Sequence, residues 1–203
     1  MRDTRTPSSP ISKGEASRQA ILDAAVRRFG ADGFRASSVA DVARDADVSG
    51  TLTYAYFDNK EALFLAALDE DVAALITEGV TSILETTGDP SWRQTLMSSL
   101  LGAIDDHPLA RRVLAGLEPK VTARMIELPA LNDLRLAVAD RLRTDQLSGA
   151  VRSDIDSVPV ASGIVSIYIS LLMAVVQFGD AGLGRYGPDV MSVLAAAVDP
   201  PAR

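Results

Sequence analysis

Apolar residues recur every three or four positions along most of the chain, which is the spacing of one face of an α-helix. The clearest early face is formed by Ile21, Leu22, Ala25, Val26 and Phe29. Ser12 followed by Glu15 has the form of a capping box and predicts the start of this helix, and Gly30 and Gly33 predict its end. No stretch alternates apolar and polar residues as half-buried strands do, so the pattern predicts an all-α fold.

Two short helices and the start of a longer one follow. Ser38 with Asp41 is a second capping signal, and Ser49 predicts the start of a third helix that runs to about Phe57. Asp58 and Glu61 repeat the capping pattern and predict the start of the fourth helix. Three short capped helices in so few residues indicate a compact N-terminal unit.

The segment between the second and third helices predicts a helix-turn-helix. Its connection, Asp45-Ala46-Asp47-Val48, is of the length that lets the second of the two helices enter the major groove of DNA. Ala43 is small where the two helices must approach closely. Asp47 falls where the turn favours a left-handed residue, a conformation that Asp tolerates better than most residues.

Further breaks divide the rest of the chain. They lie at Thr86–Pro90, Asp105–Pro108, Glu118–Pro119, Ser148–Asp156 and the glycine-rich stretch Gly179–Pro188. The helices predicted between them span roughly 91–105, 108–117, 120–146, 157–178 and 188–198. Because proline removes a helical hydrogen bond, Leu128-Pro129 is expected to divide the third of these helices.

One predicted helix is apolar enough to raise the question of a membrane span, since Ser157–Gly179 contains no charged residue. However, Ser162, Ser166 and Ser170 recur every four residues, and Gln177 extends roughly the same line. Such a polar stripe is typical of a helix buried between protein neighbours. The flanking residues are acidic, without the basic bias of a membrane anchor. We therefore expect a helix packed within protein.

Charge and composition suit a globular protein with a divided surface. The net charge is −7, with no cysteine and 47% hydrophobic residues. Residues 1–60 carry nine basic and eight acidic groups, whereas residues 61–203 carry eleven and nineteen. An acidic body would repel DNA except at a docking face; the alternative is that the charge only maintains solubility. Residues 1–11 are expected to form a disordered tail, not a signal peptide. The lack of cysteine fits a reducing cytoplasm.

The same N-terminal region closely resembles the DNA-binding domain of the TetR (tetracycline repressor)/AcrR family of regulators. The resemblance covers about residues 15–65 and rests on Ile21-Leu22-Asp23-Ala24-Ala25, Phe29, Gly33-Phe34, Ser37-Ser38-Val39, Val42-Ala43, Ala46-Asp47-Val48-Ser49 and Tyr54-Ala55-Tyr56-Phe57-Asp58-Asn59-Lys60-Glu61-Ala62-Leu63. It implies a DNA-binding domain at 12–58 and a ligand-binding and dimerisation domain at 59–203. Two positions depart from the family: Asp47 replaces the usual glycine, and Thr53 replaces an aliphatic residue.

The resemblance also implies which side chains meet operator DNA. Phosphate contacts are expected from Ser37, Ser38, Tyr54, Tyr56 and Lys60, and base contacts from the recognition helix that Ser49 begins, at Gly50, Thr51, Thr53 and Ala55. Packing is the alternative for the two tyrosines. The third helix carries no Arg or Asn, so it lacks the side chains that read guanine or adenine with paired hydrogen bonds. Sequence specificity is expected to be modest and strengthened by dimerisation and DNA shape.

The family likeness further implies a ligand chamber and a homodimer. Its predicted pocket is apolar with a few polar groups, which favours an apolar or amphipathic effector, and is lined by Trp92, Leu96, Leu100, Met125, Leu134, Tyr168, Leu172 and Gln177. The last two long helices are expected to pair with those of a second copy through Ile164, Ile167, Leu171, Val175, Val193 and Ala196. The expected mechanism is a ligand-dependent repressor in which effector and DNA oppose each other.

Other classes of function find less support in the sequence. The single histidine, His107, precedes a proline in a predicted turn, where a surface or capping position is expected. Asp69-Glu70-Asp71 and Asp105-Asp106 are expected on solvated faces, because neighbours on a helix point in different directions. There is no phosphate loop or nucleophile elbow, so we expect no catalytic residue, no metal and no cofactor. Two alternatives stay open: a ligand-binding or partner protein with a degenerate DNA-binding head, and an activator on the same fold.

Overall fold

The computed structural model describes residues 12–84, 91–122 and 124–200, and no strand occurs within these ranges. The all-α prediction is confirmed. The predicted tail, 1–11, lies outside the described residues, as does the whole of the predicted break at Thr86–Pro90. The ten α-helices assigned in the described ranges are α1 Lys13–Ala36, α2 Val39–Asp45, α3 Gly50–Tyr56, α4 Lys60–Leu84, α5 Trp92–Ala103, α6 Pro108–Leu114, α7 Pro119–Thr122, α8 Pro129–Ser148, α9 Ser157–Phe178 and α10 Asp180–Val198.

Capping side chains set the starts of the first three helices. The Ser12 hydroxyl accepts from the Glu15 N–H at 3.1 Å while the Glu15 carboxylate accepts from the Ser12 N–H at 2.9 Å. Ser38 and Asp41 form the same reciprocal pair at α2. The Ser49 hydroxyl accepts from the N–H of Leu52, the third residue of α3, at 3.1 Å. These three predictions are confirmed, and each cap satisfies backbone donors that the helix itself leaves unpaired.

The fourth cap differs from the prediction. The side chain of Asn59, not Asp58, accepts from the Ala62 N–H at 2.9 Å, and α4 begins at Lys60. An amide oxygen in the residue before the helix reaches the backbone three positions on, which is the ordinary reach of a capping side chain. The end of α1 also differs, because Gly30 stays helical. Gly33, with φ 82°, kinks the helix, which then continues to Ala36.

The predicted breaks at Asp105–Pro108, Glu118–Pro119 and Ser148–Asp156 are present. Short 3₁₀ turns at Ile104–Asp106 and Met125–Glu127 precede α6 and α8, and Pro129 occupies the first turn of α8. The predicted break at Gly179–Pro188 is wrong. Gly179 alone, with φ 72°, turns the chain, and α10 begins at the next residue and contains Pro188.

α4 is the central element of the fold. It packs against α1 on one side and against α5, α6 and α8 on others, while α9 lies on α8 and α10 lies on α9. Phe64 of α4 joins the N-terminal helices to the rest of the core, because its ring centroid lies 5.0 Å from that of Phe29 and 5.3 Å from that of Phe34. The N-terminal unit and the C-terminal body are thereby packed through one helix.

α9 is long and apolar enough to cross a membrane by length and composition alone, and it is the one such helix within the described ranges. In the fold it packs against α8, α10, α6 and α5. The predicted placement between protein neighbours is thus observed for the inner face of this helix.

Candidate nucleic-acid interface and core cavity

The turn between α2 and α3 has the geometry predicted for a helix-turn-helix. Asp47 adopts φ 53° and is the one residue other than glycine with positive φ in the described ranges. The Val48 N–H donates to the Ala43 carbonyl at 3.0 Å, and the buried Ala43 side chain lets the two helices approach. The left-handed Asp47 predicted from the sequence is therefore confirmed.

One surface of this unit presents polar and small side chains to solvent. Tyr54 is 57% exposed, and Ser38, Ser49, Thr51 and Ala55 are also exposed. A β-carbon added at Gly50 would meet no atom within 4 Å, so the first turn of α3 is open to an approaching partner. We call the exposed face formed by Ser38, Ser49, Gly50, Thr51, Tyr54 and Ala55 the α3 surface.

Two predicted DNA contacts are instead buried, and for these the prediction is wrong. Thr53 has 0% of its surface exposed, and its hydroxyl lies 3.4 Å from the Ser49 carbonyl. Ser37 is 4% exposed, and its hydroxyl donates to the Gly33 carbonyl at 2.8 Å. Both side chains point into the unit. Within α3 the helical period turns Thr53 to the face opposite Thr51.

Tyr56 and Lys60 are half-buried and held by other parts of the unit. The Tyr56 hydroxyl donates to the Gly14 carbonyl at 3.0 Å and ties the end of α3 to the start of α1. The Lys60 ammonium lies 4.4 Å from the centroid of the Phe34 ring, a cation–π distance. Both side chains fix the orientation of neighbouring helices, and their contact with phosphates stays a prediction.

A half-buried ion pair between Arg28 and Asp45 holds α2 against α1, and no sequence pattern predicted it. The Arg28 guanidinium donates to both carboxylate oxygens of Asp45, at 2.7 and 2.8 Å, and a third bond reaches Asp32 at 3.0 Å. The hydrogen bonds to Asp45, then Asp32, raise the pKa of Arg28. Paired, planar bonding of this kind fixes direction as well as distance. Arg28 and Asp45 are seventeen residues apart, so no local sequence pattern predicts the contact.

A small apolar cavity lies in the C-terminal body, where α4, α5, α6, α8 and α9 meet. Its volume is about 40 Å³. The walls are formed by Val72, Leu75, Ile76, Leu100, Ala110, Leu114, Met125, Leu131, Leu134, Val165, Tyr168, Ile169 and Leu172. Five of the eight predicted pocket residues are among them: Leu100, Met125, Leu134, Tyr168 and Leu172.

The Tyr168 hydroxyl at the cavity wall already has a hydrogen-bond partner. The Tyr168 hydroxyl donates to the Arg93 carbonyl at 2.7 Å, and burial raises the pKa of Tyr168 well above its usual range. The phenol therefore stays protonated and acts as a donor. The remaining lining is aliphatic, which makes the cavity a site for apolar groups.

Three predicted pocket residues lie elsewhere. Trp92 is fully buried, and its Nε1 donates to the Asp145 carboxylate at 2.9 Å on another side of α5. Leu96 packs against Gly79, within 3.2 Å of a β-carbon built at that glycine. Gln177 is exposed, and its Nε2 donates to the Leu114 carbonyl at 2.8 Å. The direction in which each helix face points could not be read from spacing alone.

Comparison with known proteins agrees with this architecture. Residues 21–67 match the family model for bacterial regulatory proteins of the tetR family. Over 188 residues the chain is 26% identical to YdgC, an uncharacterized HTH-type transcriptional regulator of Bacillus subtilis (strain 168), with 90% of this chain and 93% of YdgC covered. Over 71 residues it is 32% identical to the HTH-type transcriptional regulator BetI of Agrobacterium fabrum (strain C58), covering 35% of this chain and 34% of BetI.

The whole fold is also shared with a solved structure. The crystal structure of the transcriptional regulator FadR from Bacillus subtilis in complex with stearoyl-CoA matches with a TM-score of 0.66 at 20% identity, covering 88% of this chain and 98% of that one. The family match, the helix-turn-helix and the shared fold agree. The chain is thus similar to bacterial regulatory proteins of the tetR family in residues 21–67 and to HTH-type transcriptional regulators over most of its length.

The predicted dimer residues divide into two groups. Ile164 and Leu171 face the core of their own chain and are buried there, so their assignment to a dimer interface is wrong. Ile167 and Val175 are half-buried, while Ala196 is exposed and Val193 is 65% exposed. The helical period explains the division, because α9 packs one face on α8 and leaves the other outside.

The serine stripe of α9 lies on that outer face and not in the cavity. Ser162, Ser166 and Ser170 each donate to the carbonyl four residues earlier, at 3.1, 2.8 and 2.9 Å. Their hydroxyls are thus satisfied within the helix. None of the three serines lines the core cavity, and the outer face of α9 carries small, uncharged side chains.

One member of the acidic triplet of α4, Asp71, differs from its predicted solvated position, and His107 is the N-cap residue of α6, the second of the two positions expected for it. Asp71 and His107 are buried, and His107 is 5% exposed. The Asp69 carboxylate accepts from the Ala130 N–H at the start of α8, at 3.0 Å. Glu70 is exposed and accepts from Gln19 of α1. The three adjacent carboxylates thus contact three different helices, so the C-terminal body is organised around α4.

Proposed function

We propose that this chain is a dimeric transcriptional repressor that binds a palindromic operator and is released by a small apolar or amphipathic effector. The observation that carries the proposal is the continuity of α4. Its first residue, Lys60, follows directly on the helix-turn-helix, and its middle turns supply Val72, Leu75 and Ile76 to the cavity wall. A ligand that displaces this wall would move the helix that carries the DNA-binding head.

The α3 surface is the proposed DNA contact. The exposed hydroxyls of Tyr54, Ser38 and Ser49 suit phosphates, and Thr51 and Ala55 offer methyl groups to thymine. Tyr56 and Lys60 are proposed to contribute at the edge, next to the start of α4. In this proposal residues 12–58 form the DNA-binding domain and residues 59–203 the ligand-binding and dimerisation domain, and the protein works in the cytoplasm, where the operator lies.

Dimerisation is proposed through the outer faces of α9 and α10. Ile167 and Val175 of α9 and Val193 and Ala196 of α10 keep accessible apolar surface there, and Phe178 at the end of α9 is exposed as well. Contiguous apolar surface of this kind is typical of a protein interface. A twofold pair would present two α3 surfaces to two half-sites about one helical turn of DNA apart, or a multiple of it.

Effector binding is proposed to require movement of the helices around the cavity. A volume of about 40 Å³ holds little more than a few water-sized molecules, whereas sites for small ligands run to roughly 300–1,000 Å³. An effector would therefore select a conformation in which α4, α6 or α9 has moved apart. By linkage, a ligand that lowers DNA affinity is itself bound less tightly in the presence of DNA. FadR of Bacillus subtilis, which shares the fold, was crystallised with stearoyl-CoA, a ligand with a long apolar chain.

Selection of bound sequences from a random duplex pool tests the proposal directly. We expect enrichment of an inverted repeat, and binding that weakens linearly on a logarithmic scale between about 50 and about 200 mM salt as counterions are released. Binding that is independent of salt, or no enriched site at all, would overturn it. The second result would favour a ligand-binding protein with a degenerate head. Transcription in vitro from the selected site separates repressor from activator.

A further inference from the structure

A second cleft lies where the N-terminal unit meets the C-terminal body. It is bounded by the end of α1, by Glu61 at the start of α4, and by the turn between α6 and α7. Its volume is about 580 Å³, against about 40 Å³ for the core cavity. This falls in the range of sites for small molecules, which occur preferentially between domains. We call it the junction cleft.

Glycines at the end of α1 allow the close approach that forms this cleft. A β-carbon at Gly33 would lie 2.3 Å from Nη2 of Arg112 and 2.6 Å from Oε1 of Glu118. One turn earlier, a β-carbon at Gly30 would lie 2.8 Å from Cβ of Pro108. The C-terminal body therefore contacts the backbone of α1 itself, and the junction cleft opens beside this contact.

A partly buried ion pair holds the two walls together. Oε1 of Glu118 accepts from the Phe34 N–H at 3.0 Å and from Nε of Arg112 at 2.9 Å. Nη1 of Arg112 donates to the Ala31 carbonyl at 3.3 Å. The Arg112–Glu118 pair binds the backbone of α1, at Phe34 and Ala31. The shape of the cleft therefore depends on the position of α1 relative to α6.

The charges that line the junction cleft are unevenly matched. Each of its three carboxylates has a cationic partner: Asp32 pairs with Arg28, Glu61 with Arg124, and Glu118 with Arg112. Arg35 and Lys120 also line the cleft, and neither makes an ion pair with any residue that the structure describes. Because the three carboxylates are paired and the two cations Arg35 and Lys120 are not, the cleft favours binding of an anion.

Apolar surface lies beside these cations. Leu117 lines the cleft and is 59% exposed, and Pro119 and Phe34 line the same cleft. Large apolar side chains that remain accessible in a concave site are typical of ligand contacts. The combination of two free cations and an exposed leucine matches a molecule with one anionic group and one apolar part.

We propose that the junction cleft is a second effector site that binds a small organic acid, with its carboxylate on Arg35 and Lys120 and its apolar part on Leu117. A molecule in this position touches α1 and the α6–α7 turn together and changes the position of the DNA-binding head without entering the core cavity. The proposal goes beyond the function proposed above, because binding at the cleft is defined without DNA and without any core ligand.

The test is a titration of the full, DNA-free protein with 2-naphthoate, followed by the backbone amide resonances. A rigid ring pair cannot enter a 40 Å³ cavity unless the helices part. We expect saturable shifts at Gly33, Phe34, Leu117 and Lys120. The uncharged analogue 2-naphthamide should bind more weakly, since it cannot pair with the two cations.

Matched variants locate the anion. Arg35→Ala/Lys120→Ala is expected to weaken 2-naphthoate binding by about tenfold, because two exposed ion pairs are lost. Arg27→Ala/Arg143→Ala removes two exposed cations outside the cleft and should leave binding unchanged. Equal melting temperatures establish that all variants are folded. Shifts confined to core residues, absence of saturation, or equal weakening by both double variants would overturn the proposal. None of these outcomes depends on operator binding, so failure of the repressor proposal is measured separately.

Discussion

Asp71 of α4 and His107 at the start of α6 form a buried pair, with 3.0 Å between Oδ1 and Nδ1. The other carboxylate oxygen of Asp71 accepts from the backbone N–H groups of Leu109 and Ala110, at 3.0 and 2.8 Å. One carboxylate therefore binds the first turn of α6 and Nδ1 of the imidazole together. Because Ala110 lines the core cavity, this contact connects the cavity wall to the helix that carries the DNA-binding head.

Asp71→Ala should destabilise the protein by about 3 kcal/mol, since it leaves two backbone donors and a ring nitrogen buried without a partner. Urea denaturation measures the loss. Glu70→Ala is the matched control, because the neighbouring carboxylate is exposed and should change stability by no more than about 0.5 kcal/mol. Equal effects of the two substitutions would contradict the assigned role of Asp71.

Gly33→Ala should destabilise the protein by about 2 kcal/mol or more. The residue has φ 82° and ψ 170°, a combination that is essentially restricted to glycine, and a β-carbon would meet Arg112 and Glu118. Gly149→Ala is the control for positive φ alone, because Gly149 has φ 80° with ψ 7° and no atom within 4 Å of a built β-carbon. We expect a loss of about 1 kcal/mol there. Thermal unfolding of both variants measures the difference, and a Gly149 effect as large as that of Gly33 would show that neither the extended ψ of Gly33 nor its close neighbours add to the loss.

Thr53→Val should leave operator affinity within about twofold of the parent, because the side chain is buried and its hydroxyl makes one long contact. Thr51→Ala, two residues earlier on the exposed face, should weaken binding by about tenfold if its methyl group reads a base. Fluorescence anisotropy with the selected operator gives both constants. If Thr53→Val lost operator affinity without losing stability, Thr53 would have to contact DNA.

The two threonines also show where sequence reasoning succeeds and where it stops. The capping pairs, the left-handed Asp47 and the helical breaks at prolines are local, so residue types a few positions apart predict them. The family resemblance has an aliphatic residue at the position of Thr53, and that was already a sign of burial. The helical period places Thr53 on the inner face of α3, away from the exposed Thr51.

Contacts between distant segments could not be predicted in the same way. Arg28 with Asp45, Asp71 with His107 and Glu118 with the Phe34 backbone depend on how helices cross, which no local pattern encodes. Five of the eight predicted pocket residues line the cavity, because apolar residues that face the core are common to any helical pocket. Trp92, Leu96 and Gln177 lie outside the lining. The face of α9 that points outward was assigned only in part, since its apolar residues occur all around the helix.

Val193→Arg should convert the proposed dimer to monomers. Val193 is 65% exposed on α10, so the monomer can fold with arginine there, but a twofold interface would bring two uncompensated charges into apolar surface. Operator affinity should then fall by about a hundredfold, because the two heads no longer bind as one linked unit. Leu147→Arg is the control, since Leu147 is exposed on α8 away from this face. Sedimentation velocity measures the assembly and anisotropy the affinity. A Val193→Arg protein that remains a dimer would place the interface on another surface of the molecule.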